Sequence, residues 1–227
     1  MMGYLACILT LLLICDVAIS QPLWVSTTGH DTEACGESPT TACQTLGHTI
    51  SKIAKPRAQI YMLPGMYVRK STEIFQRFEE LNISGFNSSA TAVRITCDGG
   101  DKKLVFKSIP KIFVSNLTIA DCHSRETSGA LAVSGSGLNL RNVIIANSTI
   151  NGKVAPDLGN GGCLAATNQS SVVIKNSTFW NCTATGKGGG VYIDEGSKGD
   201  LEVCQSPSFV MANWCHCMHY LYRINTV

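Results

Sequence analysis

One segment occurs three times in this chain, and that recurrence limits the folds open to it. Residues 112–122 read IFVSNLTIADC, residues 138–148 read LNLRNVIIANS and residues 172–182 read VVIKNSTFWNC. An asparagine holds the fifth place of each copy, at Asn116, Asn142 and Asn176, with spacings of 26 and 34 residues. A glycine-led segment also recurs: SGALAV from Ser128, GGCLAA from Gly161 and GGGVYI from Gly188. Self-similarity at this period marks units that bury their apolar face by stacking on one another.

Within the copies apolar residues alternate, so one side of each strand faces a core. The inward columns are Ile112/Leu138/Val172, Val114/Leu140/Ile174, Leu117/Val143/Ser177 and Ile119/Ile145/Phe179. The alternation shifts phase at the asparagine, which therefore marks a bend between two strands. Two readings of this Asn column stand side by side. The side chains form a hydrogen-bonded ladder between stacked units, or Asn116 and Asn176 carry glycans, since both lie in N-x-S/T sequons. Asn142 is followed by Val143-Ile144 and is no sequon, which favours the ladder. The column five residues on, Asp121/Asn147/Asn181, reads as exposed, so Asn147 and Asn181 are the better glycan candidates. Asn82, Asn87 and Asn168 are further candidate acceptors.

Taken in order, residues 1–20 read as a signal peptide. An apolar run from Leu5 to Cys15 precedes Ala18-Ile19-Ser20, a small-residue cleavage site. That run is too short to span a bilayer, and the alternative is a signal anchor. No later stretch is long and apolar enough to cross a membrane. Residues 21–58 read as an N-terminal cap. Leu46, Ile50 and Ile53 form one stripe of a short amphipathic helix over residues 42–54, suited to plugging an open apolar end. Residues 59–205 read as the stacked strands, three short strands with turns per unit. From Leu201 a fourth copy begins, aligning Gln205 with the Asn column, and Pro207 breaks it. Residues 206–227 lack the pattern and suggest a truncated or alternative terminus.

Eleven cysteines occur, and Cys7 and Cys15 leave with the signal. In an oxidising compartment most of the rest should pair. Cys35 and Cys43 bracket a turn-rich stretch. Cys97 with Cys122 and Cys163 with Cys182 are the preferred further bridges, although sequence alone leaves connectivity open.

The stretch from WVSTTGHD to IYMLPGMYV resembles the start of pectin-lyase-like right-handed β-helix proteins. In those, a W/Y-V-S strand, a capping helix and an I-Y-x-x-P-G-x-Y turn open the first coil. The glycine segments and copy ends, over roughly residues 112–201, resemble the polymorphic outer membrane protein repeat, with its G-G-A-I and F-x-x-N motifs. The second motif departs here, with Cys182 in the place of its Asn and Ile119 and Ile145 in place of its Phe. These resemblances imply an all-β fold, a single-stranded right-handed parallel β-helix with a short N-terminal capping helix. Adhesion is the role that the repeat family implies.

Chemistry is sparse. Many enzymes of the pectin-lyase-like class act on polysaccharides, and hydrolysis there needs two carboxylates facing across a sugar. The weak catalytic candidates are Asp121 and His123; Asp194 and Glu195 are adjacent and so face opposite sides of a strand. The paired-Asp and G-H-G signatures of polygalacturonases and the Asp cluster with Arg of pectate lyases are both missing. Cys215-His216-Cys217 lacks the usual zinc spacing, and no metal or cofactor is expected. A net charge of +2 offers nucleic acid little attraction. Lys102, Lys103, Lys107 and Lys111 read as a solvated face. The sequence therefore points to a secreted, non-catalytic scaffold with an extracellular protein or glycan as partner. A polysaccharide lyase or glycoside hydrolase, or an inactive truncation of one, is the alternative.

Overall fold

The computed structural model describes residues 21–69, 71–86, 89–97, 102–125, 128–152 and 159–202. The signal segment, Asn87, Cys204, Gln205, Cys215, Cys217 and the tail lie outside the described residues. Strand β1 (Leu23–Val25) precedes a 3-10 turn at Pro39–Thr41 and helix α1 (Leu46–Ser51). The chain then makes similar passes. The first contains β2 (Arg57–Met62), β3 (Gly65–Arg69) and β4 (Glu73–Phe75), and the second β5 (Glu80–Gly85), β6 (Val93–Cys97) and β7 (Leu104–Lys107). The third contains β8 (Lys111–Ala120), β9 (His123–Ser124) and β10 (Leu131–Ser134), and the fourth β11 (Gly137–Ile150) and β12 (Leu164–Thr167). The fifth contains β13 (Ser171–Lys175), β14 (Thr178–Ala184) and β15 (Val191–Ile193), and β16 (Lys198–Glu202) opens another.

Every pass contributes in the same order to a larger sheet of 11 strands and then, up to β15, to a smaller sheet of five. All pairings are parallel: β1-β2-β5-β8-β11-β13-β16 runs through the larger sheet and β4-β7-β10-β12-β15 through the smaller. Among the described residues the fold is all-β with one short α-helix. The inward columns expected from the sequence hold in register, as in Leu81/Ile112/Leu138/Val172 and Ile95/Ile119/Ile145/Phe179. The smaller sheet adds Leu104/Leu131/Leu164/Val191, and all of these join one hydrophobic cluster with the larger sheet.

The phase shift at the asparagines is a true bend. Asn116, Asn142 and Asn176 have φ of 55°, 54° and 48°, in the left-handed region that Asn tolerates better than most residues. A second bend follows at Asp121, Asn147 and Asn181, with φ of 58°, 49° and 49°. Strands β8 and β11 thus turn corners without leaving the sheet. At the glycine segments, a Cβ on Gly129 would lie 2.0 Å from the Gly162 carbonyl oxygen, and one on Gly162 would lie 2.0 Å from that of Gly189. Backbone stacks directly on backbone there, so the motif recurs.

Polar groups also stack. The backbone N–H of Ile109 donates to the Ser136 hydroxyl, that of Ser136 to Ser170, and that of Ser170 to Ser197, at 2.9, 3.3 and 3.0 Å. All three serines are buried. Disulfides join Cys97–Cys122 and Cys163–Cys182, the two pairings preferred from sequence, and Cys35–Cys43, which closes the turn-rich stretch between them.

Three expectations need correction. The helix covers Leu46–Ser51 only, because Cys43 is still extended, bridged to Val25, and Thr45 is the N-cap. Asp31 accepts hydrogen bonds from the backbone N–H groups of Gln44 and Thr45 and fixes that start. The last strand pairs Val172 with Gly199 and Ile174 with Leu201. The alignment of Leu201 with Val172, and hence of Gln205 with Asn176, is therefore two residues out of register. Lys103 does not belong to a solvated face: it is buried, and its Nζ donates to the Ser124 hydroxyl at 3.1 Å. Among the described residues no helix is long and apolar enough to cross a membrane.

Candidate binding surface

Alternation that sends apolar residues inward leaves three outward columns on the part of the larger sheet that precedes the Asn bend. They are Arg57/Glu80/Lys111/Gly137/Ser171/Lys198, Gln59/Asn82/Phe113/Asn139/Val173/Asp200 and Trp24/Tyr61/Ser84/Ser115/Arg141/Lys175. At the N-terminal end, Trp24, Tyr61 and Phe86 form an aromatic cluster, with ring centroids 5.0 Å (Trp24–Tyr61), 4.9 Å (Trp24–Phe86) and 5.9 Å (Tyr61–Phe86) apart. All three are only half-buried. The Gln59 amide donates to the Tyr61 hydroxyl at 2.6 Å. Such rings offer an apolar body with polar groups beside it.

Further along, Phe113 is 38% exposed. Gly137 follows in the neighbouring column and carries no side chain, since a Cβ would come 2.4 Å from the Pro110 carbonyl oxygen. The missing side chain leaves a notch of about 170 Å³, bounded by Lys111, Phe113, Asn139, Ser171 and Val173. A backbone requirement of the corner thus creates a concavity with one ring, one ammonium, one amide and one hydroxyl around it. It is a shallow, open surface notch, smaller than the clefts of roughly 300–1,000 Å³ that enclose small-molecule ligands.

Of the candidate catalytic pair, Asp121 has another duty. Asp121 accepts from Arg94 Nη2 at 2.6 Å and from Asn147 Nδ2 at 3.2 Å. Partial burial pushes its carboxyl up, but the hydrogen bonds from Arg94 and Asn147 and the Arg94 charge hold it below the usual carboxylate range. Such a group does not serve as a general acid near neutral pH. His123 lies past the bend on β9, and is exposed. Asp194 accepts hydrogen bonds from the Asn168 backbone N–H and the Ser197 hydroxyl, which fixes a turn.

Asp31, Cys35, Cys43 and His48 come together with atoms within 4.8 Å of one another. The two cysteines are joined to each other, so no thiolate is offered to a metal. Asp31 holds the start of α1 and its carboxyl sits low: burial raises it, but hydrogen bonds from Thr45 and Gln44 outweigh that.

The asparagines sort by what their amides do. Asn142 Nδ2 donates to Asn116 Oδ1 at 2.8 Å, a rung of the expected ladder. The next column, expected to be exposed, is a second ladder. Asn147 donates to Asp121, and Asn181 Nδ2 donates to Asn147 Oδ1 at 3.0 Å. Asn168 Nδ2 donates to the Ser134 hydroxyl at 2.7 Å. Asn82 lies half-buried on the outer surface, between Gln59 and Phe113 in register.

Sequence reasoning missed the Trp24–Tyr61–Phe86 cluster and a buried ion pair, Arg69 with Glu73. Arg69 Nε lies 3.6 Å from Glu73 Oε1, and Arg69 Nη2 donates to the carbonyls of Ser71 and Lys103, both at 2.9 Å. Alternation in WVS and IYM held the signal for the cluster, because it turns Trp24 and Tyr61 to the same outer side. No family model matches the chain, and neither a characterised protein nor a solved structure is detectably similar to it.

Proposed function

We propose that this chain is a secreted, N-glycosylated, right-handed parallel β-helix without catalysis of its own. It binds an extracellular protein or glycan across the flat outer surface that runs from Trp24 to the Gly137 notch. The repeated order of passes, the shared core and the three disulfides support the scaffold. The resemblances to pectin-lyase-like proteins and to the outer membrane repeat point the same way. One observation carries the binding reading: rings, amides and hydroxyls line that surface, while Asp121 and Asp194 are committed to structural hydrogen bonds.

Purified protein on a glycan array and on immobilised extracellular proteins tests this, with a reducing-sugar assay alongside. The expected result is saturable binding that weakens at least tenfold in Phe113→Ala, about 1.4 kcal/mol, with no sugar released. Turnover of any polysaccharide sinks the non-catalytic reading in favour of a lyase or hydrolase.

A further inference from the structure

The sequons differ in the freedom of the nitrogen that would carry a sugar. In the Asp121/Asn147/Asn181 column that nitrogen donates along the stacking direction, at 3.2 Å from Asn147 and 3.0 Å from Asn181. Stacked strands lie roughly 4.8 Å apart, so a pyranose ring on either Nδ2 has to push the neighbouring rung aside. Asn168 Nδ2 is held by Ser134.

Asn176 differs from these three. It is exposed, at the bend between β13 and β14, with φ of 48°. Its amide has no hydrogen-bond partner among the described residues, although the Asn116–Asn142 rung lies just before it in the column. Its neighbour Ser177 is buried, with its hydroxyl accepting from the Val143 N–H. The sequon is thus anchored while its acceptor side chain is unbonded among the described residues.

We infer that Asn176 carries an N-linked oligosaccharide and that Asn147 and Asn181 do not, an inference that rests on the secretory reading above. The transfer joins Nδ2 to the anomeric carbon of a lipid-pyrophosphate-linked oligosaccharide. The anomeric C–O bond breaks, the lipid pyrophosphate leaves with the electron pair, and the amide gives up one proton.

The test uses the full chain in a eukaryotic secretory cell, in two forms: with its own residues 1–20, and with an established leader in their place. Amidase release of glycans in ¹⁸O-water converts each occupied Asn to labelled Asp, read by peptide mass spectrometry. Label at Asn176 in the secreted protein, little or none at Asn147 and Asn181, and loss of one glycan's mass in Asn176→Gln are expected. An unlabelled Asn176 in the established-leader form overturns the inference, as does substantial label at Asn147 or Asn181. Label at Asn176 in that form alone, with the natural form kept in the cytosol, upholds the glycan site and overturns the secretory reading.

Discussion

Asn142 Nδ2 donates to Asn116 Oδ1 at 2.8 Å, and both residues hold a positive φ. One residue type thus meets two demands, a left-handed backbone and a link between passes. Asn142→Ala loses both, for about 2 kcal/mol: about 1 for the bond and about 1 for the strain. Asn142→Gly escapes the strain and should cost about half as much. Urea midpoints decide, and equal losses in the two variants would remove the strain component.

The glycine stack makes a sharper contrast. Gly162→Ala forces a Cβ to within 2.0 Å of the Gly189 carbonyl oxygen, and should cost upwards of about 2 kcal/mol as passes separate. Gly135→Ala meets nothing closer than 3.7 Å and suffers only from its φ of 58°, a cost of about 1 kcal/mol. Thermal unfolding of the two variants tests the ranking; a Gly162→Ala variant as stable as the parent would refute direct backbone stacking.

Burial pushes Arg69 down and Glu73 up from their ordinary values, against the attraction between them. Arg69 Nε and Nη1 and Glu73 Oε2 lack hydrogen-bond partners among the described residues. Removing one partner strands the other charge, so Arg69→Met or Glu73→Leu alone should cost about 3–5 kcal/mol, and the double replacement should recover most of it. A double-mutant cycle by denaturant unfolding measures the coupling; strictly additive losses would show that the pair does not interact.

Asp121 sets a dependence on acid. Its pKa is lowered in the folded chain, so its contribution to stability is present above the unfolded value of about 3.9 and is lost as pH falls through the folded one. Asn in its place keeps the bend and the ladder but not the charge. Asp121→Asn should be slightly less stable than the parent at pH 7, by under about 1 kcal/mol for a partly exposed pair, and the gap should close as the pH falls below the carboxylate range. A gap that persists at low pH would show that the ion pair with Arg94 is not its source.

The columns of the core were legible because a two-residue period leaves little freedom: Ile119, Ile145 and Phe179 can share only one side. Register at the last strand was not, because Gly199 fills an inward place without an apolar side chain and a two-residue slip preserves parity. Lys103 was misread because counting charges along 102–111 ignores corners, and one of the four lysines turns inward to Ser124. The aromatic cluster stayed hidden because Trp24 and Tyr61 become neighbours only through the β1–β2 pairing. The two amide ladders were only half visible: composition distinguishes Asn from Asp, but not a rung from a free side chain.

The serine contacts at 136, 170 and 197 all run one way. Each backbone donor is met by a hydroxyl from the pass that follows, never from the pass before. Each pass therefore depends on its successor: truncating the later pass strips a buried backbone donor of the earlier one of its partner, so damage at the C-terminal end is felt one pass inward.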